Sequence, residues 1–160
     1  MKNTNLETLG NNYPTPKIKR ILIPLFTAEN PSIQSGLKYF FPENPIIDKK
    51  TIVGIEANIQ IESGIAGDIR DAINSIVRQG VADSLFLVFY NENNEEIFYN
   101  VPLRSLFTID PLSSNPNKLQ KRIKPFTGKI KSRSCYAYFP ANATIPPIEK
   151  INISLTFFYN

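Results

Sequence analysis

The chain has 160 residues, of which 42% are hydrophobic and 20% charged, enough for one globular domain with a core of its own. It holds no His, no Trp and a single Cys, Cys135. Those absences exclude imidazole general-base catalysis, His-containing metal sites, Cys/His nucleophile pairs and an intrachain disulfide.

Residues 1–17 are polar, with Asn11-Asn12 and Pro14-x-Pro16 near their end, and read as an extended N-terminal arm. Residues 18–160 then form a single domain. The stretch 18–26 (IKRILIPLF) is a continuous apolar run of β-formers, which suits a strand buried on both faces, and its Pro24 favours a sheet edge or bulge. A short strand is expected at 37–41, stopped by Pro42. Pro42-Glu-Asn-Pro45 satisfies PxxP formally but reads as a turn.

Residues 51–61 put Ile55, Ala57, Ile59 and Ile61 on one face and Glu56, Asn58 and Gln60 on the other, the period of a half-buried strand. Between Gly67 and Gly80, Ile69, Ala72, Ile73, Ile76 and Val77 recur at helical spacing, which predicts one short amphipathic helix ending at Gly80. The run 84–90, an Asn-rich turn at 91–95 and the strand 96–101 predict a hairpin whose turn wants positive φ or an Asx turn. Residues 108–132, carrying Pro111, Pro116, Pro125 and Gly128, read as a long loop with a helical turn at 117–123. A strand is expected at 133–139 with Cys135, Ala137 and Phe139 on one side. Another is expected at 149–158, with Ile151, Ile153, Leu155 and Phe157 buried and Asn152, Ser154 and Thr156 exposed. The expected class is mainly β: an antiparallel β-sandwich, jelly-roll-like, with one short helix and the arm.

Charge is uneven. Net charge is +4, yet the segment from Pro111 to Ile148 holds seven bases and no acid: Lys118, Lys121, Arg122, Lys124, Lys129, Lys131 and Arg133. With Phe126, Tyr136 and Tyr138 beside it, that segment is a candidate contact for single-stranded nucleic acid or for an acidic partner. The first twenty residues carry no apolar core of a secretory signal, and no apolar run approaches the length of a membrane span. The lone Cys fits folding in a reducing compartment.

Catalytic and cofactor chemistry finds no footing. With no His, only Lys could activate a serine, and Ser35-Gly36 and Ser63-Gly64 lie in loop-like sequence. Asp68 with Asp71 suits a helix start, and Glu92, Glu95 and Glu96 decorate a hairpin tip. Neither GxxxxGK[ST] nor GxGxxG occurs, and Gly64-Ile-Ala-Gly67 is a weak GxxG match. No calcium loop fits. No enzyme activity, metal or cofactor is expected, and Cys135 reads as a small buried hydrophobe.

The polar arm (Met1–Lys17), the alternating strands, the Pro-rich inter-strand loops and an aromatic last strand running to Tyr159-Asn160 resemble, in style, small virion structural proteins of bacteriophages. The 22 Ile and 17 Asn, encoded by AT-rich codons, agree with hosts of low GC content. Jelly-roll capsid proteins and penton-type or auxiliary shell proteins look like this. The resemblance implies a shell or vertex component of the virion, associating with copies of itself and with other virion proteins, and it carries no catalytic residues. Phe98, Tyr136, Tyr138 and Phe158 are then the candidate interface aromatics, or else the second core face of the sandwich. Two alternatives stand beside it: a single-stranded nucleic-acid-binding β-barrel using residues 118–133, and a glycan-binding β-sandwich.

Overall fold

Strands of period two dominate the chain. The computed structural model describes residues 15–25, 32–62, 68–109, 119–143 and 150–160. The arm up to residue 14, Lys118 and the Gly64–Gly67 motif lie outside them. In chain order come β1 (Lys17–Ile23), β2 (Lys38–Phe40), α1 (Pro45–Asp48), β3 (Ile52–Glu62), α2 (Asp68–Ser84), β4 (Phe86–Tyr90) and β5 (Glu96–Pro102). There follow β6 (Phe107–Ile109), β7 (Leu119–Lys121), β8 (Lys124–Gly128), β9 (Tyr136–Tyr138) and β10 (Lys150–Tyr159). The class is mainly β, and every strand pairing among the described residues is antiparallel. One sheet has the order β1-β10-β3-β8, a second β2-β9-β4-β5, and β6 and β7 form a two-stranded ribbon.

The alternation read from sequence sets which face is buried. In β3, Ile55, Ala57 and Ile59 are buried, and in β10 so are Ile151, Ile153, Leu155 and Phe157. Cross-strand register stacks them in rows: Ile21–Leu155–Ala57 and Ile23–Ile153–Ile59. The second sheet adds Tyr39, Leu87, Phe89 and Ala137 to the same apolar cluster. Phe89 of β4 packs on Phe126 of β8 at 5.6 Å between ring centres, so the two sheets share one core.

Five expectations need correction. First, β1 is an edge strand buried on one face only: Ile21 and Ile23 are covered, while Ile18 and Leu22 are 62% and 55% exposed. A continuous apolar run does not distinguish one buried face from two. Second, the helix does not stop at Gly80. α2 runs on to Ser84 because Val81 and Ala82 are fully buried, and that burial outweighs the roughly 1 kcal/mol a helical glycine costs. Its covered side carries Val77 and Val81, so Ile76 is left 71% exposed.

Third, there are two helices among the described residues. Pro45 opens α1 rather than closing a turn. Asn44 caps it, its Oδ1 accepting the Ile46 and Ile47 N–H groups at 3.1 and 3.2 Å. Fourth, 108–132 is not a plain loop, and the helical turn expected at 117–123 is strand at Leu119–Lys121. β8 follows it, with Phe126 buried between exposed Pro125 and Thr127. Its proline is tolerated because β8 is a sheet edge. Fifth, the 133–139 strand is shortened to Tyr136–Tyr138 by a 3-10 turn at Ser132–Ser134.

The hairpin turn follows its sequence. Asn91 Oδ1 accepts the N–H groups of Asn93 and Glu95, both at 2.9 Å, an Asx turn, and Asn94 takes φ 60°.

Candidate assembly surface

The outer face of the first sheet is built by the residues that the core alternation leaves over. Register places Ile18, Phe158 and Gly54 in one row across β1, β10 and β3. Ile123, in the turn between β7 and β8, lies over Gly54: a Cβ there would stand 3.0 Å from Ile123 Cγ2 and 3.7 Å from Phe158 Cδ2. The missing side chain thus leaves the space over Gly54 to Ile123, with Phe158 beside it. The outcome is an apolar row, Ile18–Phe158–Ile123, with Ile123 52% exposed. The next row is charged. Arg20 Nε donates to Thr156 Oγ1 at 3.4 Å, Thr156 stands opposite Glu56, and Glu56 pairs with Lys121 at 3.7 Å. Leu22, Ser154 and Asn58 make the third.

The free edge beside this face is blunted. Lys19 stands opposite Phe157, on the core-facing register of β1, and Lys17 opposite Tyr159. Lysines at such positions oppose the docking of another strand. On the face itself, Ile18, Leu22 and Ile123 leave apolar side chains exposed, whereas Thr156 is buried and the Asn58 end meets α2 and the β6–β7 ribbon.

The candidate basic residues do not form one block. Lys121, Arg122 and Lys124 cluster where β7 turns into β8, with Lys121 engaged by Glu56. Lys129, Lys131 and Arg133 follow after the length of β8, about 16 Å of extended chain. There Lys131 Nζ donates to Asn94 Oδ1 at 3.3 Å, at the hairpin tip. Arg122, Lys129 and Arg133 are exposed.

The four candidate aromatics separate as well. Phe158 belongs to the apolar row. Phe98 on β5 is 40% exposed and leans on Phe126 at 4.9 Å. Tyr136 and Tyr138 lie on the outer face of the second sheet, in register with Phe40, Lys38 and Phe86. Tyr136 is buried by its own chain: Phe40 meets its ring edge-on at 5.6 Å, Tyr90 and Tyr138 flank it, and Lys38 Nζ stands 4.7 Å from its ring centre. Tyr138, half-buried, hydrogen-bonds Asn100, whose φ of 51° marks a break in the regular run of β5.

Cys135 is fully buried. Its Sγ accepts the Tyr90 N–H at 3.4 Å and lies 3.4 Å from the Lys131 carbonyl oxygen, and burial pushes its thiol up to about 12. The hydroxyl of Tyr90 donates to Glu96 Oε1 at 2.8 Å, and that bond raises its ionisation above the ordinary tyrosine range. Among the described residues no three His, Cys, Asp or Glu side chains group as a metal site, and no helix is long and apolar enough to cross a membrane.

Sequence reasoning missed the row because it is made by register. Ile18 and Phe158 are 140 positions apart, and no local spacing announces them. No family model matches this chain, and neither does any curated protein or solved structure.

Proposed function

We propose that this protein is a structural virion component, a capsid shell or vertex subunit that works by contact with copies of itself and with other shell proteins. The observation that carries the reading is the apolar row of exposed Ile18 and Ile123 with half-buried Phe158 on the outer face of the first sheet, next to a row bearing both signs of charge, Arg20, Glu56 and Lys121. An exposed apolar patch rimmed by polar groups is what protein–protein contact uses, and mixed charge lets one patch complement another copy of itself.

The strand order supports reading the fold as a jelly-roll β-sandwich. With the β6–β7 ribbon set aside as an insertion, eight strands remain among the described residues. Their pairings β1·β10, β2·β9, β3·β8 and β4·β5 are nested, as in one long antiparallel ribbon folded at β4–β5. Wrapping that ribbon sends alternate pairs to alternate sheets and adds the contacts β10·β3 and β9·β4. Jelly rolls serve capsids and lectins alike, so the fold agrees with the shell reading and the exposed apolar row carries it.

Sedimentation of the wild-type chain against Ile18→Asp and Ile123→Asp tests the proposal. The expected result is an oligomer that the substitutions dissociate, with the melting temperature little changed because both side chains are already exposed. A wild-type chain that sediments as a monomer up to its solubility limit, indifferent to either substitution, overturns it.

A further inference from the structure

Beyond its charged row, the outer face of β3 continues from Asn58 to Gln60 and there meets α2 and the β6–β7 ribbon. These elements bound a polar cleft of about 390 Å³. That is the size range of small-ligand pockets. Asn58 and Gln60 line it from the strand, Arg78 from the helix, Lys121 from β7, and Phe107 and Leu119 supply an apolar wall.

The groups are held in place. Arg78 Nε donates to the Ile59 carbonyl oxygen at 3.2 Å, which anchors the guanidinium on the strand by one nitrogen and leaves its Nη fork to serve a ligand. Lys121 is braced by Glu56 at 3.7 Å. Among the described residues no carboxylate lines the cleft, so the charge they bring to it is positive, offset only by Glu56 behind Lys121. Two amides beside two cations offer both donors and acceptors to hydroxyl groups and a fork to an oxyanion. By contrast, the apolar gap between β5 and β8, lined by Phe98, Phe126 and Leu106, measures only about 50 Å³ and admits no ligand of this kind.

We infer that the α2–β3–β7 cleft binds a small polyhydroxylated anion, an acidic sugar unit whose carboxylate or phosphate meets Arg78 and Lys121 while its hydroxyls meet Asn58 and Gln60. At about 390 Å³, bounded by β3, α2 and the β6–β7 ribbon, the cleft fits a sugar or two rather than an extended strand of nucleic acid. Lys121 is shared with the charged row of the assembly reading, but Asn58, Gln60 and Arg78 belong to neither the apolar nor the charged row, so variants at Arg78 and Gln60 test this inference separately.

Isothermal titration at fixed ionic strength tests it, with glucuronate, glucose 6-phosphate, neutral glucose, inorganic phosphate and a short oligothymidylate as probes. Glucuronate or glucose 6-phosphate is expected to bind, and which of the two binds tighter identifies the oxyanion. Glucose and inorganic phosphate are expected to bind at least tenfold more weakly, because each supplies half of the recognition. Arg78→Met and Gln60→Ala are each expected to weaken the acidic sugar by about tenfold, the loss of one charged or one neutral hydrogen-bonding group. Arg78→Met removes a contact between helix and strand, so its melting curve is read alongside. Gln60→Ala, at an exposed position, keeps the test valid if the first variant unfolds. Absence of heat with both acidic sugars overturns the inference. So does binding of inorganic phosphate as tight as that of the sugars, which is an anion site only. Oligothymidylate binding that depends on Arg78, without sugar binding, overturns it in favour of nucleic acid.

Discussion

Ser132 and Asp48 are joined across 84 positions of sequence by a hydrogen bond of 2.6 Å, the Ser132 N–H donating to Asp48 Oδ1. Ser132 returns the link through its hydroxyl oxygen, which accepts the Asn44 N–H at 2.8 Å. The last residue of α1 and the residue that caps it are thus both tied to the 3-10 turn that leads into β9. Ser132 is fully buried, so its hydroxyl is there as a polar partner and not as filler. Removing it strands the Asn44 N–H. Ser132→Ala is expected to cost about 1–3 kcal/mol in urea unfolding, the penalty for a buried donor left unmade. A loss below a few tenths of a kcal/mol shows that Asn44 finds water instead.

Phe89 is a fully buried contact through which the sheets meet. Its ring touches Phe41 edge-on at 5.8 Å and Phe126 at 5.6 Å, and it is among the largest fully buried side chains. Phe89→Ala is therefore expected to cost about 3–5 kcal/mol, from lost transfer energy and the cavity left behind. Phe40→Ala, half exposed in the second sheet, is the contrast and is expected to cost far less. Equal losses at the two positions contradict a shared core centred on Phe89.

How much of this was legible depended on whether the signal was local. β3 and β10 announce themselves because Ile55, Ala57 and Ile59, like Ile151, Ile153 and Leu155, alternate with polar residues, and one buried face imposes that period. The hairpin turn announces itself through Asn91 and Asn94, whose side chain and φ do what asparagine does locally. β8 stayed hidden because a short edge strand with one buried residue, Phe126, shows no period, and its Lys and Pro read as loop. α1 stayed hidden because Pro45 punctuates a turn and a helix start alike. The cleft was illegible for another reason. Arg78 and Gln60 acquire meaning only when α2 is laid across β3, and a single arginine on a helix has no spacing to read.

The Cys135 thiol sets a pH dependence whose sign follows from its raised ionisation. In the unfolded chain the thiol ionises near 9, whereas burial holds it protonated in the fold until about 12. Between those values the folded state binds a proton that the unfolded state has lost, so the thiol's contribution to stability is intact below pH 9 and declines as pH rises toward 12. Urea midpoints measured between pH 8 and 11 are expected to fall more steeply for the wild type than for Cys135→Ala. In the same samples a thiol reagent at pH 8 is expected to label the chain only in denaturant, since the native sulfur is both neutral and covered. Rapid labelling of the native protein contradicts the buried position.

Asn94 takes a left-handed φ of 60° at the tip of the β4–β5 hairpin, and its Oδ1 accepts from Lys131 Nζ at 3.3 Å and Ser134 Oγ at 3.4 Å. Backbone and side chain make separable demands. Asn94→Gly relieves the first and drops the second, and because both contacts are exposed it is expected to change stability by less than about 1 kcal/mol. Asn94→Val drops the contacts and forces a β-branched residue into the left-handed region, which is expected to cost about 1–3 kcal/mol. The ordering of the two is the test, because loss of the contacts is common to both. If Val and Gly cost the same, the left-handed turn carries no strain and the hairpin tip is held by Asn91 alone. If Gly costs as much as the upper Val value, the tie from Asn94 to Lys131 and Ser134 holds the hairpin against the turn before β9, and the backbone angle is incidental.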